Sequence, residues 1–158
     1  MENDDLTIDI NEATDSDAET ILEIQKLAFR GQGVLYDDFT LPPLVQTLEE
    51  LVRDFRTYVF LTAQYNGKLV GSVRARTEGD TCFISRLIVH PDCQNKGIGK
   101  KLMHAIESKF RGAQRYELFT GHKSAKNIAL YGKLGYRKYG EKPQGDNVTL
   151  IRLEKRKA

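Results

Sequence analysis

Gln94-Asn-Lys-Gly-Ile-Gly99 stands where an apolar run, Leu87-Ile88-Val89, gives way to a helical repeat that begins at Ile98. Glycines at 97 and 99 remove side chains from the start of that helix. There the first backbone amides lack partners and the helix dipole favours an anion. Such a junction can cradle a phosphate or pyrophosphate, and Lys96, Lys100 and Lys101 add positive potential. Tight strand-to-helix turns also use glycine for steric reasons alone, so the pair leaves both readings open. Two named phosphate motifs fail on spacing. A dinucleotide fingerprint needs a third glycine where Leu102 stands, and a P-loop needs glycine at Gln94 and Ser or Thr at Lys101.

The elements around this junction alternate helix and strand. Leu6–Ile10 alternates apolar and polar residues and predicts a half-buried strand. Ser16-Asp-Ala-Glu19 has capping-box spacing, and Ile21, Ile24 and Ala28 follow at helical intervals. Arg30–Thr40, with Gly31, Gly33 and Asp37-Asp38, reads as a loop. Leu44, Leu48, Leu51, Val52 and Phe55 then form one stripe, with Pro42-Pro43 in the first turn, and predict a second helix. Tyr58–Tyr65 and Lys68–Arg76 read as strands joined by Asn66-Gly67, a strong hairpin dipeptide. Gly79-Asp80 marks another turn before the strand Thr81–His90, whose apolar end suggests burial on both faces and a central place. The helix with Ile98, Leu102, Ile106 and Phe110 on one side leads to a strand at Tyr116–Thr120, a βαβ unit with parallel strands. A helix over Ser124–Leu134 stops at Gly135, and a strand at Val148–Leu153 closes the chain. The fold class is α/β (α+β): a mixed, mostly antiparallel central sheet with a parallel βαβ core flanked by helices. One domain is expected over residues 1–158, structured from about 6 to 153, with 154–158 as a basic tail.

Composition excludes several classes. With 158 residues, 40% hydrophobic and 29% charged, the chain is of ordinary size for one globular domain. No apolar run approaches the roughly 20 residues of a membrane span, and the acidic start is no signal peptide. Cys82 and Cys93 are too few for a disulfide scaffold or a metal site, so reduced thiols, no metal, no membrane and a cytoplasmic setting are expected. The net charge of +2 conceals an asymmetry: residues 1–54 carry 14 acids and 3 bases, the remainder 8 acids and 21 bases. This fits either two unrelated solvated faces or an anionic ligand on the basic part with a cationic one near the acidic part. The basic residues are scattered, which argues against nucleic acid.

Leu87-Ile-Val-His-Pro-Asp-Cys-Gln-Asn-Lys-Gly-Ile-Gly99 resembles the L-x-V-x-P-x-x-[QR]-x-x-G-x-[GA] signature of the GNAT superfamily of N-acetyltransferases. Leu130-Tyr-Gly-Lys-Leu-Gly-Tyr136 is similar to that family's Y-x-K-x-G-[FY] ending. The order of elements agrees over roughly Leu6–Leu153. The resemblance implies a GNAT-like acyl-CoA N-acyltransferase fold and an acetyl-CoA-dependent enzyme acting on an amine. It implies that Leu87, Ile88 and Val89 offer backbone hydrogen bonds to pantetheine, that Gln94, Asn95, Lys96, Gly97, Ile98, Gly99 and Lys100 wrap the pyrophosphate, and that Asn127 meets the same arm. Many members carry asparagine where this chain has Ser124, and some carry a strand glutamate where this chain reads Phe83-Ile-Ser-Arg86. Many are dimers, which allows a homodimer here.

Amide formation needs a deprotonated amine and a proton for the departing thiolate. Tyr131 matches the family's general-acid tyrosine; by its neighbours alone it reads rather as a ring packed beside Ile128 and Leu134. Glu78, Asp80, His122 or a water chain are candidates for the base. Cys93 has no evident histidine partner and reads as a small apolar filler. In the family the first helices and their loop shape the acceptor site; here these hold Tyr36, Asp37, Asp38, Glu49 and Glu50, so a cationic amine, small molecule or peptide N-terminus, is expected. The alternative is a non-catalytic acyl-CoA sensor.

Overall fold

The computed structural model describes residues 7–157. Its strands are β1 (Ile8–Glu12), β2 (Val59–Tyr65), β3 (Lys68–Glu78), β4 (Thr81–Val89), β5 (Arg115–Gly121), β6 (Arg137–Gln144) and β7 (Val148–Arg156). Its helices are α1 (Ala18–Tyr36), α2 (Pro42–Val45), α3 (Leu48–Asp54), α4 (Ile98–Lys109) and α5 (Ala125–Lys133). The strands form one seven-stranded sheet in the order β1-β2-β3-β4-β5-β7-β6. Only β4 and β5 run parallel; the other neighbours are antiparallel. This is the expected mixed sheet, with β4 at its centre. Leu6, the expected start of the first strand, lies outside the described residues.

Local chemistry explains the turns. Asn66 (φ 52°) and Gly67 (φ 81°) both adopt the left-handed conformation that a two-residue hairpin turn needs. Gly135 (φ 98°) ends α5, and the Tyr136 amide bonds back to the Tyr131 carbonyl at 3.0 Å, closing the helix as a left-handed cap does. No helix among the described residues is long and apolar enough to cross a membrane.

Helices cover the two faces unequally. α4 buries Ile98, Leu102, Met103 and Ile106 against Val73, Ala75, Cys82 and Ile84. On the other face α1 and α3 bury Ile21, Ile24 and Leu51 against Phe60 and Ile88. That second cover stops short, and the sheet beyond it stays open, with Phe119 53% exposed.

β4 changes phase part-way along. Ser72 pairs with Ile88 and Arg74 with Ser85, so Val73 opposes two residues, Arg86 and Leu87. This is a β-bulge, and Arg86 occupies it at φ 53°. One extra residue inverts the alternation of side chains. Before the bulge Cys82 and Ile84 face the α4 core; after it Leu87 and Val89 do, while Ile88 faces α1.

Four expectations change. Residues 30–36 are helix, because α1 continues through Gly31 and Gly33 and ends at left-handed Asp37 (φ 52°). Gly33 serves packing: a Cβ there would come within 2.7 Å of the Phe39 ring and 3.0 Å of Leu44. The single helix expected over residues 44–55 is two, broken at extended Gln46 and restarted by a Thr47–Glu50 capping box. The capping box uses other residues and starts the short turn Asp15–Asp17 that leads into α1, the Asp17 carboxylate accepting from the Thr14 amide at 3.0 Å. β7 continues to Arg156, so most of the expected tail is strand, with the Lys155 ammonium on Glu107 at 2.8 Å. β6 has no counterpart in the sequence reading. It is an edge strand, RKYGEKPQ, almost wholly exposed, whose charges and Pro143 suit an edge but hide the strand's period.

Candidate active site

β4 and β5 pair only from Thr81–Phe83 to Arg115–Glu117. Beyond Phe83 the two parallel strands part, while β5 stays paired to β7 as far as Gly121. The inner edges of residues 84–89 and 118–121 therefore face each other across a cleft. An unpaired strand edge is a row of free amides and carbonyls that can accept an extended ligand as an added strand.

The cleft runs toward the start of α4. Pro91–Cys93 form one tight turn, capped by the His90 Nδ1 that accepts from the Asp92 amide at 3.0 Å. Gln94 folds its side-chain amide back on the Val89 carbonyl at 3.4 Å. Asn95 (φ 64°) and Gly97 (φ 81°) are both left-handed and bend the loop over the helix end. Ile98 and Leu102, fully buried, fix that end to the core. The Lys101 amide is the first to reach back into the helix, to the Gly97 carbonyl at 3.1 Å, so the amides just before it point outward without helical partners. A Cβ at Gly99 would make only ordinary contacts, 3.7 Å to Leu87 and 3.8 Å to Leu130. Gly97 is thus needed for its backbone angle, and the bare backbone at Gly99 is free for a ligand. Lys96 and Lys100 are exposed beside it. A pyrophosphate fits this set of donors.

Where the strands part lies a cavity of about 190 Å³, lined among others by Arg86, Leu87, Thr120, Asn127 and Tyr131. Tyr131 is almost fully buried, its ring edge-on to Tyr136 at 6.1 Å. Burial raises the Tyr131 hydroxyl above the usual phenol range, so it stays protonated at neutral pH. The Asn127 amide reaches the Thr120 hydroxyl at 3.5 Å. A chain of hydrogen bonds roofs the cavity: the Lys123 amide donates to the Tyr36 hydroxyl (2.8 Å), which donates to Ser124 (2.9 Å), which donates to Gln32 (2.8 Å). Asn147, between β6 and β7, donates to the Tyr36 carbonyl at 3.1 Å.

A second polar assembly lies on the α1 side. Arg74 is 7% exposed; its guanidinium meets Asp54 at 2.6 Å and Ser85 at 2.9 Å and stacks 4.1 Å from the Tyr58 ring centroid. Gln46 donates to Asp54 at 2.8 Å, while its carbonyl accepts from Gln25 (3.0 Å) and Arg86 (2.9 Å). The break between α2 and α3 is what turns Gln46 inward. Burial and the neighbouring Arg74 lower Arg86 to about 10, so it remains a cation at neutral pH. A non-glycine residue held left-handed costs about 1–3 kcal/mol and persists only where its surroundings enforce it.

The acetyltransferase (GNAT) family model matches residues 19–136, from α1 through the cleft, the α4 loop and α5. The chain belongs to the acetyltransferase (GNAT) family. It is similar to UPF0157 protein YqkA of Bacillus subtilis (strain 168), 31% identical over 96 residues that make up 60% of this chain and 28% of that protein. It is also similar to IAA acetyltransferase of Azospirillum brasilense, 34% identical over 101 residues, 61% of this chain and 66% of that one. The chain thus spans less than two thirds of the length of either relative. Among solved structures, PaiA N-acetyltransferase from Thermoplasma acidophilum, in complex with coenzyme A, has the same fold. Its TM-score is 0.81 over 96% of this chain and 99% of that one, at 18% identity.

For this GNAT chain the expected site residues divide. Leu87, Asn127 and Tyr131 come together at one cavity, with Ile88 and Val89 continuing the open strand edge and residues 94–100 at its far end. The candidate bases stand elsewhere. Glu78, exposed at the end of β3, pairs with Arg76 at 3.5 Å. Asp80 sits in the β3–β4 turn, where its carbonyl accepts from Gln114 at 2.8 Å. His122 accepts from the Thr149 amide at 3.0 Å and tilts against the Tyr36 ring. Cys93 packs half-buried against the core. The acids expected to draw a cationic acceptor do not reach the cavity either: Asp38 is engaged by Thr40 (2.6 Å) and Glu50 caps α3, while Asp37 and Glu49 are exposed. Sequence reasoning missed Arg86, Gln46 and the Tyr36–Ser124 roof. The change of apolar parity between Ile84 and Leu87 was the available sign of the bulge; the others arise from residues far apart in the chain.

Proposed function

We propose that this chain transfers the acetyl group of acetyl-CoA to a primary amine of a small molecule or a peptide N-terminus, by direct attack and with Tyr131 as general acid. The observation that carries the reading is the parted β4–β5 cleft, which ends at one side in the bare amides of α4 and at the other in a buried, protonated tyrosine. Pantetheine would lie along Leu87, Ile88 and Val89 as an added strand. The backbone from Gln94 to Lys100 would hold the pyrophosphate, and Asn127 would meet the arm from α5. The amine nitrogen attacks the thioester carbon, the C–N bond forms and the C–S bond breaks. Tyr131 then gives its proton to the departing sulfur, while the amine's proton leaves to water. Backbone donors on β4 stabilise the developing oxyanion. Among the described residues lining the cavity there is no carboxylate or imidazole, and in this reading water carries the base's role.

That same lack of a base is the observation that favours a non-catalytic acyl-CoA sensor as the second reading. Thiol release from acetyl-CoA, measured across a panel of amines with wild type beside Tyr131→Phe, separates the two. The transfer reading expects amine-dependent release that falls at least tenfold in the variant, about 1.4 kcal/mol of transition-state stabilisation. Release untouched by the substitution removes Tyr131 from the chemistry. Binding of acetyl-CoA with no release from any amine establishes the sensor.

A further inference from the structure

Beyond the reach of α1 and α3, the open face of the sheet forms a second cavity of about 420 Å³ that adjoins the first at Ser85, Arg86 and Phe119. Its lining carries five cations, Arg74, Arg76, Arg86, Lys142 and Arg152, against one acid, Glu117. Three of the five are engaged by carboxylates: Arg74 by Asp54, Arg76 by Glu78 and Arg152 by Glu117 at 3.1 Å. Arg86 is different. Its described side-chain partner is the neutral carbonyl of Gln46, and no described carboxylate pairs with it. The Asp54 carboxylate lies near enough to offset part of the burial of Arg86 but is engaged by Arg74, so the Arg86 guanidinium keeps donors without a charged partner, and a fork of donors suits a carboxylate or phosphonate. The bulge aims this residue at the place where both cavities meet, and the Gln25–Gln46 pair braces it there. Lys142, on β6, supplies a second cation across the cavity.

We propose that Arg86 recognises the acidic group of the acceptor, so that the substrate is a primary amine bearing a carboxylate or phosphonate close to its nitrogen. Arg86 and Tyr131 line one cavity of about 190 Å³, so amine and acid belong to a single small molecule or chain end. The inference rests on the acetyl-transfer reading. It replaces the expectation of a cationic acceptor with an amine whose negative group is held by the β4 bulge.

The test compares α-amino acids and aminophosphonates with the corresponding carboxamides and decarboxylated amines, at fixed acetyl-CoA. Wild type is expected to favour the acids at least tenfold in kcat/KM. Arg86→Gln should raise the KM of the acids at least tenfold, leave that of acetyl-CoA within twofold and abolish the preference. Arg86→Lys should retain part of it, which guards against loss of fold. A second readout needs no turnover: titration calorimetry of N-acetyl amino acids against their carboxamides, with the protein saturated with coenzyme A. Tighter binding of the acids, lost in Arg86→Gln, supports the anion site even if no amine is acetylated, in which case the transfer reading alone fails. Equal kcat/KM for acids and amides, or a preference unchanged in Arg86→Gln, overturns the anion site and leaves transfer standing. If no amine reacts, equal or absent binding of acids and amides overturns it as well.

Discussion

The two ends of the cleft are built in different ways. The proposed acyl-CoA end is one continuous stretch, Leu87–Lys101, in which the strand edge, a tight turn and the first amides of α4 follow each other along the chain. The proposed acceptor end is assembled from Gln25, Gln46, Asp54, Arg74, Arg86 and Tyr36, which come from two helices, two strands and the break between α2 and α3. The first needs only local geometry and a fixed helix. The second exists only once α1, α2 and α3 have closed on the sheet. Damage to the acyl-CoA end should therefore weaken cofactor binding and leave stability nearly intact, whereas damage to the acceptor end should cost stability as well as substrate affinity.

The largest effect expected is at Asp54. Asp54→Ala leaves the buried Arg74 guanidinium without its carboxylate and should lower stability by about 3 kcal/mol, read from urea unfolding. Gly121→Ala comes next. A Cβ at this site would overlap the Tyr36 hydroxyl, so the roof through Ser124 must open, at about 2 kcal/mol. The amine KM should rise and that of acetyl-CoA should hold. Gly97→Ala sharpens the contrast from the other end. Its left-handed backbone (φ 81°) makes alanine cost about 1 kcal/mol, and here the KM of acetyl-CoA should rise while the amine KM stays. Equal changes in both constants for either glycine variant would erase the distinction between the two ends.

A smaller effect concerns pH. Burial pushes the Cys82 thiol up to about 12 and raises the hydroxyls of Tyr131 and Tyr136, the latter also through its bond to Glu107. Each folded-state value lies above the unfolded one, so the protonated form is favoured by folding. Stability from these groups is complete below about pH 8 and is lost as pH rises past about 9, where the unfolded chain begins to release their protons. Urea midpoints should be flat between pH 7 and 8 and fall steadily from 9 to 11. The smallest effect is expected from reversing Asp37 and Asp38 to lysine, which should change amine KM less than twofold because neither lines the cavity. A several-fold rise would return the acceptor to the cationic class.

The same contrast governs what was legible in the sequence. Leu87–Gly99 and Leu130–Tyr136 carry their meaning in consecutive residues, so the cleft's cofactor end and the βαβ frame around it could be read directly. Asn66-Gly67 and Gly135 announced their turns because only certain residues tolerate those angles. β6 was not legible, since an exposed edge strand has no buried side to impose a period. The length of α1 was hidden by Gly31 and Gly33, the second of which is there to admit Phe39. Arg86 stood in plain view, yet its role depends on a bulge and on a glutamine from a helix break 40 residues away.

Amide hydrogen exchange with and without acetyl-CoA tests the central claim most directly, that the open edge of β4 and the bare start of α4 form one cofactor site. Addition of acetyl-CoA should protect the amides of Leu87–Val89 and Gly97–Lys100 together, while adenosine 3′,5′-bisphosphate, which lacks pantetheine, should leave Leu87–Val89 unprotected. Protection at neither stretch, or equal protection of β4 by both compounds, would contradict it.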